Sequence, residues 1–209
     1  MNTRPGNFIT VEGVEGVGKS TNINLIAQLI RDAGHEVLLT REPGGTQLGE
    51  RIRQILLDKA EHAMTPMTEL MLMFAARAQH VERLIKPALA DGQWVVCDRF
   101  TDSSYAYQGG GRGLGEEPVA MLETLALGDF RPDLTLILDL DVETGLSRAT
   151  ADSEADRFES EERAFFEQVR TAFRNRAATS DRYRLVDASG SLEEVQAQIT
   201  SVMAEVLSQ

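Results

Sequence analysis

The sequence predicts an α/β protein with a five-stranded parallel sheet flanked by helices. Short apolar runs alternate with longer segments of helical periodicity along the 209 residues. One run, LTLILDL at 134–140, is apolar enough to form a strand that is buried on both faces. A glycine-rich segment, GVEGVGKS, separates the first apolar run from the first helical segment. This alternation is typical of a parallel sheet with helices on both faces.

The strands are predicted from the short apolar runs at residues 8–11, 37–40, 94–97, 134–140 and 183–186. The helices are predicted from their periodicity at residues 21–32, 48–57, 65 to about 87, 118–127, 144–151, 160–178 and 192–207. Gly34 is a stop for the first helix. Thr65-Pro66 is a start for the third, since proline is favoured at the first helical position, and Pro87 is expected to kink its end. The segment 108–115, rich in glycine, is predicted to be a loop.

The length fits a single domain spanning residues 1–209, and 42% hydrophobic residues suffice for a sizeable core. No run approaches the ~18 apolar residues of a membrane span, and the N-terminus lacks an apolar signal region, so we expect a cytoplasmic protein. A single cysteine, Cys97, excludes an internal disulfide and a cysteine-based zinc cluster. The three scattered histidines also argue against a histidine metal site.

The net charge of −12 opposes binding to nucleic acid or to an anionic membrane. It does not exclude a local basic pocket for a small anion. Only three of the 21 basic residues are lysines, and the others are arginines, whose planar fork suits phosphate groups.

The segment GVEGVGKS, residues 13–20, matches the Walker A pattern and lies between a predicted strand and a predicted helix. Its glycines allow backbone N–H groups to surround phosphate oxygens at a helix N-terminus. Lys19 would reach the β- and γ-phosphates, and Ser20 would bind magnesium. A tight strand–helix turn alone would need glycines but not Lys19 and Ser20.

A phosphate loop alone leaves three classes: a switch GTPase, a motor or assembly ATPase, and a small-molecule kinase. None of the three lysines completes an Asn-Lys-x-Asp guanine motif. A motor needs further domains, for which this chain has little length. A kinase needs a second pocket that reads an acceptor.

Two segments are candidates for that pocket. Phe74 and Arg77 share one face of a predicted helix, either as a clamp for a flat polar ring or as a core phenylalanine beside a solvated arginine. Asp98 ends a predicted buried strand and is a candidate for magnesium contact, with Arg99 directed into the same crevice. The stretch FTDSSYAYQGGGRG that follows mixes hydroxyl groups, an amide and two tyrosines that can read sugar and base edges.

Five motifs occur in one order: GVEGVGKST, TREPGGT, MFAARAQ, DR-x₄-S-x₂-YQGGGRG and GDFRPDLTLILDL. Together, over residues 8 to about 157, they resemble the bacterial thymidylate kinase family. The resemblance implies a three-layer P-loop kinase fold, ATP as phosphoryl donor, Mg²⁺ as cofactor and dTMP as acceptor. It also implies a homodimer, for which the apolar run 70–76 is a candidate interface, although burial inside the subunit explains that run equally well.

For the acceptor, the resemblance implies that Phe74 stacks on thymine and that Arg77 donates hydrogen bonds to it. Glu15 is expected to contact the 3′-hydroxyl, and Arg99 to hold the acceptor phosphate. The remaining acceptor positions are Ser104 at the thymine edge, Tyr107 and Gln108 at the sugar, Arg41 and Glu42 beneath the acceptor, and Arg53, whose alternative is a solvated charge.

For the donor, the resemblance implies contacts from Gly13, Val14, Glu15, Gly16, Val17, Gly18, Lys19, Ser20, Thr21 and Arg148, and metal contacts from Ser20 and Asp98. The expected catalytic groups are Lys19, Arg99, Arg157 and Glu15.

The segment RATADSEADRFESEE is expected to form a mobile lid at about 148–163. Its acidic composition departs from lids that contain several arginines. Arg157 is the expected catalytic lid arginine and Arg148 the second candidate; the alternative is an exposed acidic loop with Arg157 in a local ion pair. The competing functions are a kinase for another nucleoside monophosphate and a non-kinase, ATP-dependent switch protein.

Overall fold

The computed structural model describes residues 6–58, 64–149, 157–158 and 161–208. Five strands form one parallel sheet in the order β2-β3-β1-β4-β5. They are β1 (Phe8–Glu12), β2 (Val37–Arg41), β3 (Trp94–Asp98), β4 (Leu134–Asp139) and β5 (Tyr183–Asp187). The predicted five-stranded α/β fold is confirmed, and each strand differs from its predicted range by one residue at the carboxyl end.

The α-helices of the described residues are α1 (Lys19–Asp32), α2 (Gln47–Leu57), α3 (Pro66–His80), α4 (Lys86–Ala90), α5 (Thr101–Ser104), α6 (Glu117–Leu127), α7 (Val142–Ala149), α8 (Arg163–Ala177) and α9 (Leu192–Leu207). A π-helical turn, Val81–Ile85, joins α3 to α4, and a second, Tyr105–Gly111, follows α5. Residues 150–151 and 160, which were predicted to be helical, lie outside the described part of the chain.

Local sequence explains where α3 begins and how it continues. The Thr65 side chain accepts a hydrogen bond from the Thr68 N–H, and Pro66 occupies the start of the helix, as predicted. The helical path continues through the π-helical turn 81–85 into α4. Pro87 falls in the first turn of α4, where its missing N–H is least costly.

The prediction of a loop over 108–115 was wrong for residues 108–111, which belong to the second π-helical turn. The reason is packing against α8, which the local composition does not reveal. A Cβ atom on Gly110 would lie 3.1 Å from the Ala172 Cβ, and one on Gly111 would lie 2.4 Å from the Phe165 ring. The glycines therefore serve a close approach of two helical segments.

The core lies on both faces of the sheet, because side chains alternate along each strand. Ile9, Val11 and Val96 belong to the cluster that includes the buried residues of α1 and α9. Phe8 and Val95 belong to a second cluster with residues of the segment 81–90. These two layers of helices hold the sheet between them. No helix in the described ranges is both long enough and apolar enough to cross a membrane.

Candidate active site

The site forms where the carboxyl ends of the central strands meet. Val11 of β1 and Arg41 of β2 both lie beside Asp98 of β3 in the strand register. The chain leaves β1 towards α1 on one side of the sheet and leaves β3 towards α5 nearby. Ligands of open parallel sheets bind in crevices of this kind.

The glycine-rich segment 13–18 is a turn between β1 and α1. Gly16 has φ 72°, and a Cβ atom there would lie 1.9 Å from the Gly145 carbonyl oxygen. Gly18, with φ 82°, is the N-cap of α1 and provides no side chain to cap the first N–H groups. These N–H groups at a helix N-terminus suit an anion.

The two valines of the segment, Val14 and Val17, are buried in the core, so only their backbone groups can serve a ligand. The Lys19 ammonium folds back over the loop and donates to the carbonyl oxygens of Gly13, at 3.2 Å, and Val14, at 3.0 Å. Burial, followed by the charge of Arg99, lowers the pKa of Lys19 to about 8. A bound anion would favour the charged ammonium.

Ser20 and Asp98, the two residues expected to contact the metal, each have an oxygen that is exposed or lacks a hydrogen-bond donor among the described residues. Ser20 and Thr21 lie exposed in the first turn of α1. Asp98 Oδ1 is buried and accepts no hydrogen bond from the described residues. A buried carboxylate oxygen without a protein donor fits a role beside a cation or its bound water. Within the described ranges no three acidic, cysteine or histidine side chains group as a metal cluster.

A cleft that is partly open to solvent lies beside this edge of the sheet. It is lined by Glu15, Arg41, Glu42, Pro43, Arg53, Leu57, Met73, Arg77, Asp98, Arg99, Phe100, Ser103, Ser104, Tyr107, Gln108 and Phe158. All the expected acceptor-binding residues except Phe74 are in this wall. The cleft therefore brings together side chains from the phosphate loop, α2, α3 and the segment after β3.

Arg99 stands between the phosphate loop and the cleft. Its guanidinium donates to the Gly13 carbonyl oxygen at 2.9 Å, to Ser103 Oγ at 3.2 Å and to Glu15 Oε1 at 2.9 Å. Its backbone has φ 66°, a strained conformation for a residue with a side chain. The Arg99 N–H to Val11 carbonyl bond of 3.0 Å helps to hold it.

Tyr107 contacts both Glu15 and Arg99. Its hydroxyl donates to Glu15 Oε1 at 2.7 Å, and the Arg99 guanidinium carbon lies 5.0 Å from the centre of its ring. Burial raises the pKa of Tyr107 well above its usual value, and the Glu15 carboxylate adds to this effect. The phenol therefore remains a donor, and Glu15 accepts from both Tyr107 and Arg99.

Arg77 is fixed at the far end of the cleft. Its Nε donates to Glu42 Oε2 at 2.6 Å, its Nη1 to Ser104 Oγ at 3.0 Å and its Nη2 to the Phe100 carbonyl oxygen at 2.9 Å. The predicted pairing with Phe74 on one helix face is present, because the guanidinium carbon lies 4.6 Å from the centre of that ring.

Phe74 is not among the residues that line the cleft, although its ring contacts Arg77, which does line it. Its side chain is only 3% exposed and packs in a cluster with Leu70, Tyr105 and Val119. The thymine-stacking role expected of Phe74 stays a prediction without a place in the cleft wall. Met73, one residue earlier and one helical turn from Arg77, lines the cleft instead.

The other expected acceptor residues differ in how firmly they are held. Arg41 forms an exposed ion pair with Glu50 at 3.0 Å. Arg53 Nη1 donates to the Pro43 carbonyl oxygen at 3.0 Å, which keeps it at the cleft rather than in solvent. Gln108 Nε2 donates to Glu69 Oε1 at 2.8 Å, so this amide is anchored to α3.

The expected lid is described only at its two ends and around Arg157; residues 150–156 and 159–160 lie outside the described residues. Arg148 is exposed near the end of α7. Arg157 is buried, forms an ion pair with Glu69 Oε2 at 2.6 Å and donates through Nε to the Leu56 carbonyl oxygen at 2.8 Å. Its catalytic role stays a prediction, which the kcat of Arg157→Ala would test.

Sequence reasoning missed six residues of the cleft wall, namely Pro43, Leu57, Met73, Phe100, Ser103 and Phe158. Met73 could have been predicted from the sequence, because its spacing of four residues from Arg77 is one helical turn. Pro43 lies in the TREPGGT motif, and Phe100 and Ser103 lie in FTDSSYAYQGGGRG, but nothing in these motifs distinguished the three residues. Leu57 and Phe158 had no distinguishing pattern.

Glu12, at the end of β1, is a further carboxyl group behind the site. It is fully buried, and its two oxygens accept from the Phe100 N–H at 2.7 Å and from Ser103 Oγ at 2.6 Å. Burial, followed by the charge of Asp102, raises the pKa of Glu12 to about 7. Glu12 thus supports the start of the segment that contains several cleft residues.

A family model for thymidylate kinase matches residues 11–199 of this chain. Curated thymidylate kinases of Pseudomonas syringae pv. tomato and Pseudomonas fluorescens strain SBW25 are similar to it, with 59% and 58% identity over 203 residues. Each match covers 97% of this chain and 97% of the relative. Among solved structures, a thymidylate kinase from Ehrlichia chaffeensis superposes with a TM-score of 0.78 at 31% identity, covering 95% of this chain and all of that chain.

Replacement of Glu12 by glutamine is expected to alter the dependence of stability on pH. Between pH 4.5 and about 7 the unfolded wild-type chain loses the Glu12 proton, whereas the folded chain keeps it. The wild-type free energy of unfolding should therefore fall relative to that of Glu12→Gln by about 3 kcal/mol across this range and level off above it. Denaturant unfolding at pH 4, 5, 6, 7 and 8 measures the difference. A difference that is constant with pH would contradict the raised pKa of Glu12.

Proposed function

Because this chain belongs to the thymidylate kinase family, we propose that it transfers the γ-phosphoryl group of ATP to dTMP and releases dTDP and ADP. The main support is the position of Glu15, which lies within the phosphate loop and also lines the cleft beside Arg99. Two anion sites thus share one wall, which is the arrangement that a phosphoryl transfer between two bound nucleotides requires.

On the donor side, the phosphate oxygens of ATP replace the carbonyl oxygens of Gly13 and Val14 as partners of the Lys19 ammonium. The backbone N–H groups of residues 13–18 and the N-terminus of α1 surround the same oxygens. Arg148, exposed near the end of α7, is the remaining donor-side candidate.

Ser20 and Asp98 are the groups that would hold Mg²⁺, together with oxygens of the triphosphate. The unpaired Asp98 Oδ1 supports this assignment. Bound magnesium neutralises phosphate charge.

Cys97, the only cysteine, cannot form an internal disulfide, which agrees with a cytoplasmic enzyme.

On the acceptor side, an oxygen of the dTMP phosphate attacks the γ-phosphorus as the bond to the bridging oxygen of ADP breaks. The second pKa of a phosphate monoester is about 6, so this oxygen is mostly ionised at neutral pH and needs no general base. Arg99 holds the attacking phosphate and offsets the charge repulsion between the two nucleotides. When the 3′-hydroxyl binds Glu15, Tyr107 remains as the second partner of that carboxylate.

The thymine ring lies at the Arg77 end of the cleft. Met73 and Arg77 are one turn apart and both line the wall, so we place the apolar face of the base against the Met73 thioether. Phe74 supports Arg77 from within the core through the contact of its ring with the guanidinium. This assignment differs from stacking of thymine on Phe74.

The assay that tests the function measures ADP formation from ATP and Mg²⁺ with dTMP, dUMP, UMP, dCMP, AMP or GMP as acceptor. We expect dTMP to be strongly favoured, and dUMP, which lacks the 5-methyl group, to react more weakly. Preference for another monophosphate would make this chain a kinase for a different acceptor. Slow hydrolysis that no acceptor stimulates would instead favour the switch protein.

The base assignment predicts different effects for two neighbours on α3. Met73→Ala should raise KM for dTMP about tenfold with little change in kcat, because it removes an apolar contact to the bound base. Phe74→Leu, the control, should mainly lower thermal stability, since that ring packs in the core. If KM for dTMP increased strongly in Phe74→Leu and did not change in Met73→Ala, Phe74 would be the residue that stacks on thymine.

We also propose that the enzyme is a homodimer. Two packed helices, α3 and α6, expose large apolar side chains. These are Met67 and Met71 on α3 and Met121 and Leu125 on α6, with Met121 67% and Leu125 82% exposed. A patch of this kind on a water-exposed face suits a second copy of the chain.

Leu125→Glu is expected to convert the dimer to a monomer in light scattering, because a charge would enter an apolar interface. Leu185→Glu is the matched control, since this leucine is 47% exposed on β5, away from α3 and α6. A monomeric wild type, or the same mass for both variants, would contradict the proposed interface.

A further inference from the structure

Behind the base end of the cleft, a chain of buried polar groups leads from β2 to Arg77. Thr40 Oγ1 lies 2.7 Å from His80 Nε2, and His80 Nδ1 lies 2.9 Å from Glu42 Oε1. The other oxygen of Glu42 accepts from Arg77 Nε at 2.6 Å. His80 is fully buried, and it does not line the cleft.

The partners of His80 define the tautomer. Glu42 as a carboxylate can only accept, so His80 Nδ1 must donate its proton to Glu42 Oε1. Nε2 of the neutral ring then accepts from the Thr40 hydroxyl. A proton on Nδ1 and a Thr40 hydroxyl that donates to Nε2 therefore satisfy every group in the chain.

The ring also has little freedom to move. A Cβ atom on Gly45 would lie 2.3 Å from His80 Nε2, so the loop after β2 packs directly on the imidazole edge. The imidazole is thus attached to the last residue of α3 and is covered by this loop. The Glu42 carboxylate is tied in turn to both α3 groups, His80 and Arg77.

Arg77 lines the cleft although its side chain is almost fully buried. Of its five N–H groups, three have acceptors among the described residues: Glu42, Ser104 and the Phe100 carbonyl. Two are left for a ligand in the cleft that Arg77 lines. A guanidinium only donates, so it pairs with a ring carbonyl and not with an amino group at the same position.

We propose that His80 is a positioning residue for base selection: it orients Arg77 through Glu42 and so favours a pyrimidine with a carbonyl at position 4 over one with an amino group. The inference rests on the proposed function, because it takes the base to lie beside Arg77. His80 itself does not touch the substrate. Its effect should appear in acceptor affinity and in the preference for dTMP over dCMP, with little effect on the chemical step.

Two amide variants separate the two nitrogen atoms of the ring. In His80→Asn the amide nitrogen can take the place of Nδ1 and still donate to Glu42, while the contact to Thr40 is lost. In His80→Gln the amide lies near the place of Nε2 and keeps the contact to Thr40, while the bond to Glu42 is lost. Both variants replace an imidazole by a neutral amide, and Asn, which is one methylene shorter than Gln, loses more packing at this buried site. A larger kinetic effect in His80→Gln than in His80→Asn would therefore not be a packing effect.

Steady-state kinetics with dTMP and dCMP provide the readout. We expect His80→Gln to raise KM for dTMP about tenfold, with kcat within about threefold of wild type, and to lower the dTMP-to-dCMP preference by a similar factor. His80→Asn should stay within about threefold of wild type in KM and in preference, since it retains the charged hydrogen bond. Thermal unfolding of both variants shows whether each is folded.

The same substitution in a Glu42→Gln variant tests whether His80 acts on Arg77 through Glu42. In Glu42→Gln the addition of His80→Gln should change KM little further, because both substitutions break the same link. Equal kinetics for His80→Asn and His80→Gln, or additive effects in the double variant, would overturn the positioning role. Absence of dTMP phosphorylation by the wild-type protein would instead overturn the proposed function, so the two failures are distinguishable.

Discussion

The parallel pairing of β1 with β3 determines the geometry of the whole site. Val11 and Asp98 are register partners, and the Arg99 N–H bonds to the Val11 carbonyl oxygen at 3.0 Å. On the other edge of β3, the Glu42 N–H bonds to the Asp98 carbonyl oxygen at 2.9 Å. The phosphate loop, Arg99 and Glu42 therefore leave the sheet at the same level. A slip in this register would separate the groups that are proposed to hold the two anions.

Within this frame, buried or half-buried arginines are paired with buried or half-buried carboxylates. Arg77 pairs with Glu42, Arg99 with Glu15 and Arg157 with Glu69. Pairs of this kind lose much of their Coulombic gain to the cost of leaving water, so stability alone does not account for them. Their value here is orientation. A guanidinium that already has its partners is presented in one direction, and a bound nucleotide need not order it.

The strain at Arg99 belongs to the same pattern. Its positive φ is maintained by backbone bonding to β1, and its side chain reaches Gly13, Ser103 and Glu15. Glu12 contributes from behind by accepting from the Phe100 N–H and Ser103. The protein thus holds an uncommon conformation where the acceptor phosphate is proposed to bind, as is common at functional sites.

Predictions from the sequence were most accurate where the residues that form a pattern also determine the local structure. Apolar runs located the five strands to within one residue, since burial of a parallel strand depends on its own side chains. The family and most of the cleft wall followed from ordered motifs. Local patterns failed where a distant element decides, as at residues 108–111, whose helical path depends on the approach of α8.

By itself, the sequence determined the fold class, the glycine-rich loop between β1 and α1 and the family, because these depend on residue type and order. The tertiary structure decided the surroundings of two neighbouring α3 side chains: Met73 lines the cleft, and Phe74 packs with Leu70, Tyr105 and Val119. It also decided the partners of Arg77, Arg99 and Arg157, which, apart from Ser103 beside Arg99, come from segments 23 to 101 residues distant in the chain. Periodicity defines a helix face, but only the packing of neighbouring elements determines whether that face meets the core or a ligand.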